Sequence, residues 1–195
     1  RGVFIDLKQT DDGEPTDIGN SQYFQAIKDF VNQNDWTEDY FDDFFIADVE
    51  LFAAYFLTRN MDAKEAPAAF DAEEEVEPRQ WVALYQGQAR LKTGRYRFVG
   101  AADDVIFVRV NGKIVFNGSW SIGHDIDDFN EWTEEGESEH GGRKKVHNNP
   151  RMHYGDWFKI DSQPTQMEVL IGEKPGGRFN MALYIQEKSD EGDRL

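Results

Sequence analysis

Hydrophobic and polar residues alternate along several short stretches of the chain, which is the pattern of half-buried β-strands. The clearest stretch is 95–99, where apolar Tyr96, Phe98 and polar residues take turns. Alternation, or a short apolar run between turn residues, predicts strands at 2–7, 81–91, 95–99, 105–110, 113–116, 157–160, 167–171 and 179–185. Asn111-Gly112 has the composition of a two-residue hairpin turn, so we predict a β-meander over 80–117.

Only one segment shows a clear helical period. Phe24, Ile27, Phe30 and Val31 recur at steps of three and four residues, which predicts a helix at about 21–34. The apolar run 49–58 favours a buried strand, with a helix as the alternative. The segment 61–78 contains prolines and an acidic run, and we interpret it as an exposed connection.

The residues at 119–156 form a long, polar, glycine-rich segment that holds all four histidines. We predict a loop there, and loops of this length are commonly functional or mobile. The charged residues 189–195 are expected to form a frayed acidic tail. Short antiparallel strands, tight turns and one N-terminal helix together predict an all-β fold. We expect a β-sandwich or jelly-roll barrel that forms a single domain over residues 1–188.

The composition limits the classes of partner. A formal net charge of −17 disfavours nucleic acids and anionic membrane surfaces, since both carry negative charge. No run of about 18 apolar residues is present, so we expect no membrane insertion. The chain has no cysteine, which excludes disulfides, thiolate zinc sites and cysteine nucleophiles. The spacings of the histidines match no standard zinc signature.

About forty residues in the middle of the chain resemble the PA14 domain. The family shows an aromatic residue and a glycine on one strand, a strand of the form sG-x-Y-x-F, a pair of aspartates, and a strand that ends in dGk-x-v. The corresponding residues are Trp81-x5-Gly87-x-Ala89, Thr93-Gly94-Arg95-Tyr96-Arg97-Phe98 and Ala102-Asp103-Asp104-Val105-x-Phe107-Val108-Arg109-Val110-Asn111-Gly112-Lys113-x-Val115.

The resemblance implies a β-sandwich module of the kind found in secreted adhesins, toxins and glycosidases. In sugar-binding members the paired aspartates hold a calcium ion, often with a cis peptide bond between them, and the ion coordinates sugar hydroxyls. Asp103 and Asp104 occupy those positions here, although Val105 replaces the glycine that commonly follows. The alternative is that the two aspartates form a polar turn and accept backbone hydrogen bonds.

A second acidic stretch lies in the predicted loop and includes Asp125, Asp127 and Asp128. It lacks the glycine of an EF-hand loop, so we exclude that motif. Its oxygen atoms could add ligands beside the paired aspartates, while Trp120 or Trp132 offers a ring face for a sugar. The alternative interpretation is a solvated loop.

No nucleophile elbow, P-loop, dinucleotide fingerprint or HExxH motif occurs in the chain, so we predict that it is not an enzyme. The leading hypothesis is a ligand-binding or adhesion module of an exported or cell-surface protein, with calcium-dependent carbohydrate binding. Its location would be extracellular, at the cell surface or periplasmic. The alternative is a metal-free structural or protein–protein interaction domain of a larger secreted assembly.

Overall fold

In the described part of the chain, the fold consists of two antiparallel β-sheets of six strands each, with a helix on the outer face of the first sheet. It is seen in a computed structural model, which describes residues 1–120, 144–146 and 149–189. The strands are β1 (Gly2–Thr10), β2 (Phe44–Ile46), β3 (Phe56–Asp62), β4 (Trp81–Ala89), β5 (Gly94–Asp103), β6 (Val105–Val110), β7 (Lys113–Asn117), β8 (Lys144–Val146), β9 (Asn149–Tyr154), β10 (Phe158–Ile160), β11 (Thr165–Glu173) and β12 (Arg178–Glu187). Helix α1 spans Asn20–Val31, and two 3-10 helices span Glu38–Phe41 and Ala63–Phe70.

The strand order differs from the order along the chain. The first sheet runs β2-β1-β4-β11-β6-β7, and the second runs β3-β12-β5-β9-β8 with β10 also paired to β5. Several neighbouring strands of the first sheet therefore come from distant parts of the sequence, as in β1-β4-β11. Such pairings are non-local, and their register is fixed by which residues face the core.

The core between the sheets is aromatic at its centre. The Trp81 ring lies 4.7 Å from the Phe4 ring, 5.1 Å from the Phe70 ring and 5.3 Å from the Phe179 ring, measured between ring centroids. Trp81 and Ala83 face this core, whereas the alternate residues of β4 face α1. Both faces of β4 are thus buried, which is why its first half is a continuous apolar run.

A buried ion pair joins the first sheet to the segment that follows α1. Arg109 Nη2 donates to Glu168 Oε1 at 2.8 Å, and Arg109 Nε donates to the other carboxylate oxygen. The remaining guanidinium nitrogen donates to the backbone carbonyl of Asn34 at 2.7 Å. These bonds connect β6, β11 and the end of the helical segment, while the apolar face of α1 packs on the sheet.

Most of the predicted elements are confirmed. The structure is an antiparallel all-β sandwich, and each strand predicted from alternation is present, most of them with shifted ends. The helix predicted at 21–34 is α1, which ends three residues earlier, at Val31. The predicted hairpin turn is also present, because Asn111 and Gly112 have positive φ angles of 48° and 78° between β6 and β7.

The predicted β-meander over 80–117 is wrong in its pairing. β4 belongs to the first sheet and β5 to the second, and the chain returns to the first sheet at β6. Among these four strands only β6 and β7 pair with each other. The alternation of side chains fixes which face of a strand is buried but leaves its neighbour open.

The prediction of a buried strand at 49–58 is also wrong. Phe52 is 72% exposed and Tyr55 is 76% exposed, and strand β3 begins only at Phe56. The segment 61–78 is not the exposed connection that its composition indicates. Its 3-10 helix buries Ala63, Ala66 and Phe70, because these side chains recur on one face and pack against the core.

The predicted loop 119–156 is not a continuous loop. β8 and β9 lie inside it, and β9 pairs with β5 in the second sheet. The polar composition hid these strands, since Asn149–Tyr154 lacks a run of apolar residues. Residues 190–195 of the predicted tail lie outside the described residues. None of the helices in the described ranges has the length and apolar character needed to cross a bilayer.

Candidate binding site at the acidic end of the sandwich

The paired aspartates lie where the chain crosses from one sheet to the other. β5 ends at Asp103 and β6 begins at Val105, so Asp104 alone connects strands of different sheets. The peptide bond between Asp103 and Asp104 is cis. Because the crossover is so short, both carboxylates are held at one end of the sandwich, which we name the acidic end.

Asp104 is fixed by backbone hydrogen bonds from two other segments. Its side chain is buried, and Oδ2 accepts a bond of 3.1 Å from the backbone N–H of Lys174. Its carbonyl oxygen accepts a bond of 2.8 Å from the backbone N–H of Trp120, which also approaches the carbonyl of Ala102 at 3.1 Å. The indole of Trp120 is 53% exposed, so an aromatic face stands beside the aspartates.

An open cavity of about 240 Å³ lies at this end and brings Asp103 and Trp120 together. Asn60, Arg178 and Asn180 also line it. Asn180 lies opposite Asp103 in the register of β12 and β5, and Arg178 Nε donates to Asn60 Oδ1 at 2.8 Å. The cavity therefore presents a carboxylate, two amides, a guanidinium and an indole to solvent.

The other residues predicted for the site cannot be placed in it. Asp125, Asp127, Asp128 and Trp132 lie outside the described residues and stay predictions. His153 is the one histidine within the described ranges; it is buried on β9, at the position that pairs with Gly100.

The sequence analysis missed Glu173, which is the last residue of β11 and is fully buried. Among the described residues, neither of its carboxylate oxygens has a hydrogen-bond partner. A β-carbon placed on Gly176 would lie 3.3 Å from Glu173 Oε1 and 3.9 Å from Asp104 Oδ2, so the turn after β11 passes close to both carboxylates. The available signal was alternation: Val169, Ile171 and Glu173 fall on the same face, and the first two pack in the core.

The surroundings of Glu173 disfavour its negative charge. Burial, and after it the charges of Asp104 and Asp103, raise the pKa of this carboxyl to about 10, against smaller opposite effects of Lys174 and Arg79. Burial also raises the pKa of Tyr23 well above its ordinary value, with added contributions from Asp104 and Glu173. The acidic end therefore holds more negative groups than its local cations balance.

Tyr23 links α1 to this end of the sandwich. Its hydroxyl donates to the carbonyl of Trp81 at 3.0 Å. Trp81 begins β4, the strand that pairs with β11, so the Tyr23 hydroxyl lies over this part of the first sheet. A β-carbon on Gly172 would lie 2.5 Å from the hydroxyl oxygen, so glycine at this position makes room for the ring. Gly172 thus makes room for Tyr23, while Glu173, the next residue, lies near Asp104.

The oxygen atoms at the acidic end are of the type that binds a hard divalent cation, and they would supply part of its coordination shell. Calcium takes six to eight oxygen ligands, including amide and carbonyl oxygens and water. Asp103, Asp104 and Asn180 offer such oxygens, and the buried carboxyl of Glu173, which its raised pKa keeps neutral, lies nearby. In the described ranges, no three His, Cys, Asp or Glu side chains are grouped so as to hold a metal ion. A calcium site here therefore needs amide, backbone or water oxygens in addition.

Comparison with solved structures identifies the fold. The PA14 sugar-binding domain from an RTX adhesin superimposes with a TM-score of 0.51 at 16% identity, covering 95% of this chain and 88% of that one. The PA14 domain of the MpAFP antifreeze protein gives a TM-score of 0.53 at 15% identity, covering 100% of this chain and 84% of that one. The protein has a PA14-like fold.

No protein-family model matches the chain, and no curated protein matches it. At these identities the likeness defines the PA14-like fold and leaves the function of this chain to be argued from its own residues. The crossover that holds Asp103 and Asp104 is the part of the PA14-like fold to which the resemblance in the sequence assigned the calcium ligands.

Proposed function

We propose that the protein is a non-enzymatic carbohydrate-binding module of an exported or cell-surface protein, with calcium held at Asp103 and Asp104. The observation that carries the proposal is the shared cavity of Asp103 and Trp120 at the acidic end. A carboxylate for a cation and an exposed aromatic face for a sugar ring lie together there. The similarity in fold to a sugar-binding PA14 domain supports the same conclusion.

The residues of the cavity have complementary parts in this proposal. Bound calcium would supply coordination positions for sugar hydroxyl oxygens. Asp103 and Asp104 hold the cation, and Trp120 stacks against the less polar face of the sugar ring. Asn60, Asn180 and Arg178 supply hydrogen-bond donors for the remaining hydroxyls.

The electrostatics of the acidic end support a cation in this position. Glu173 lies buried close to the two aspartates without a hydrogen-bond partner in the described part of the chain, and burial together with their charges raises its pKa. A divalent ion beside the aspartates would offset their mutual repulsion. We propose that Asp125, Asp127 and Asp128 add oxygen ligands to the same site.

The proposal of a binding module without catalysis is supported by the exposure of the described carboxylates, since Asp125, Asp127 and Asp128 are proposed as ligands of the cation. A glycosidase needs two carboxyl groups that face one cavity and flank the bond to be cleaved. Of the described residues that line this cavity, Asp103 is the only one with a carboxyl group. Asp104 is 2% exposed, and its Oδ2 already accepts a backbone hydrogen bond.

Terbium luminescence tests the metal site directly. Terbium replaces calcium at oxygen sites and emits when a nearby indole transfers energy to it, and Trp120 is next to the proposed ligands. We expect saturable emission that calcium displaces, that Trp120→Phe reduces, and that Asp103→Asn with Asp104→Asn abolishes. Emission that survives the double substitution would place the metal elsewhere and contradict the assignment. A glycan array in calcium, repeated in EDTA, then tests sugar binding.

A metal-free interaction domain is the second candidate. The observation that favours it is a set of exposed apolar side chains before and within β3: Phe52, Tyr55 and Leu57, the last of which is 56% exposed. Exposed apolar patches are a common mark of protein–protein interaction sites. Retention of all binding in EDTA, together with its loss on Phe52→Ser plus Leu57→Ser, would favour this candidate.

A further inference from the structure

A second cavity opens at the opposite end of the sandwich from the aspartates. This end cleft has a volume of about 520 Å³ and lies between β4 and β11 of the first sheet and β3 and β12 of the second. Met167 lines it, whereas Glu173 marks the acidic end of the same strand. Six residues of a strand span about 20 Å, so the two cavities are separate.

The end cleft exists because the facing strands leave space at Gly87. This residue pairs with Met167, whose side chain packs against the core, so position 87 shares its inward face. A β-carbon placed on Gly87 would meet no atom within 4 Å. The strand pair thus lacks one inward side chain where the sheets separate, and the space opens to solvent.

The inner surface of the cleft is apolar and partly aromatic. Phe98 and Val169 line it from the core. Phe56 and Tyr85 form one wall and pack edge to face, with ring centroids 5.0 Å apart and an angle of 82°. Tyr184, which is 44% exposed, lines the cleft together with Tyr55. Aromatic walls of this kind favour a flat ring, which gains offset or edge contacts beyond its buried area.

The charge of the cleft contrasts with that of the chain. The protein has 38 Asp and Glu residues, yet none of the described residues that line the cleft is acidic. Arg1 is the charged residue among them, and Gln86 and Gln88 provide amides. Burial raises the pKa of Tyr85 to about 12, so its phenol stays neutral and can donate a hydrogen bond. This arrangement complements a hydroxyl or an anion and disfavours an ammonium group.

We infer that the end cleft binds a small aromatic ligand that carries a hydroxyl or an anionic group. The volume falls within the range of about 300–1,000 Å³ that is usual for small-molecule sites. A sugar fits less well, because its hydroxyls would meet the apolar inner surface without partners. The inference does not rest on calcium or on the proposed function at the acidic end.

Methionine methyl resonances provide a local probe of this site. The chain has four methionines, and Met167 is the one that lines the cleft. With methyl-labelled methionine and EDTA present, we would titrate 2-naphthol, 2-naphthoate and 2-(aminomethyl)naphthalene. We expect saturable shifts of the Met167 methyl with the first two probes and at least fivefold weaker binding of the cationic probe. Met61 and Met181 should shift little, since neither of them lines the cleft.

Two variants distinguish the effect of filling the cleft from the effect of adding a leucine elsewhere in the protein. Gly87→Leu places a side chain in the open space, and we expect it to abolish the Met167 shift while the fold is retained. Lys113→Leu adds a leucine at an exposed position of β7 and should bind like wild type. A shift that Gly87→Leu leaves unchanged would overturn the inference, and so would equal binding of the three probes. If the Met167 methyl resonance shifted with protein concentration in the absence of any probe, the occupant of the cleft would be a second copy of the chain, and the inference of a small ligand would be overturned.

Discussion

Two regions of β11 each bury a glutamate, and the two glutamates differ in their hydrogen-bond partners. Glu168 is 4% exposed, and both of its oxygens accept bonds from Arg109, which is anchored in turn to the carbonyl of Asn34. Glu173 is 0% exposed, and neither of its oxygens has a hydrogen-bond partner within the ranges that the structure describes. The two residues are five positions apart on one strand, so they face opposite sides of the sheet.

This difference in partners distinguishes Glu168, which has a structural role, from Glu173, which we associate with the proposed binding site. A buried charge with a complete set of partners is tolerated and orders the elements around it. A buried carboxyl without partners is costly, and native structures contain few of them. Glu173 lies near Asp104 and Asp103, of which Asp103 lines the open cavity, so its cost is incurred beside the proposed binding site. We interpret Glu173 as part of an acidic end adapted to a cation.

The largest expected effect is at the structural group. Glu168→Gln removes the charge that Arg109 needs and leaves the guanidinium buried without its counterion. We expect the free energy of unfolding to fall by about 3–5 kcal/mol, the usual result of removing one partner of a buried pair. Urea unfolding followed by tryptophan fluorescence measures it. A loss below about 1 kcal/mol would show that the pair does not organise this face.

Glu173→Gln should have the opposite sign. The folded protein holds the carboxyl proton up to about pH 10, whereas the unfolded chain releases it near pH 4.5. Between these values the folded state binds more protons, so the stability of wild type falls as pH rises. Glutamine resembles the neutral acid and does not titrate. In EDTA we expect the variant to be more stable at pH 8, on the order of 1–3 kcal/mol.

The pH series gives this prediction its control. Wild type and Glu173→Gln should have similar stability at pH 4 and should diverge steadily above pH 5, as measured by urea unfolding at each pH. Glu168→Gln should not show that divergence in the same direction. If Glu173→Gln destabilised the protein at every pH, the carboxylate would have an ionised partner and the comparison would fail.

The smallest expected effect on stability is at the exposed ring. Trp120 is 53% exposed, so Trp120→Ala should change the free energy of unfolding by less than about 0.5 kcal/mol. The same change should weaken sugar binding at least tenfold, because it removes the stacking face. Calorimetric titration with a glycan found on the array measures it, and Tyr55→Ala serves as a matched exposed aromatic at the opposite end. Equal loss in both variants would contradict a sugar site at the acidic end.

Local features of the fold could be predicted from the sequence because their causes are local. Alternation at 95–99 and the conformational preference of Asn111-Gly112 produced correct strands and a correct hairpin. The assignment of β4 and β5 to different sheets could not be predicted, since it depends on pairing with β11 and β12. The exposure of Phe52 was missed for a related reason: its run is apolar, but no core lies opposite it.

The candidate site also combines residues that the sequence could indicate with a residue that depends on long-range strand pairing. The resemblance selected Asp103 and Asp104, and the structure places Trp120 beside them through two backbone hydrogen bonds. Glu173 lies 69 residues beyond Asp104 in the chain, and only the pairing of β11 with β6 brings it near. Alternation along β11 indicated that its side chain faces inward, but the sequence did not indicate that it lacks a partner.

Thermal unfolding in millimolar calcium and in EDTA tests the central claim most directly. Calcium at about 100 times its dissociation constant would add roughly 2.7 kcal/mol of stability, which for a chain of this length raises Tm by about 5–10 °C. Asp103→Asn with Asp104→Asn should abolish that rise. Asp11→Asn with Asp12→Asn, an exposed pair of aspartates in another loop, should preserve it. Coincident curves for wild type in calcium and EDTA would contradict a calcium site at the acidic end.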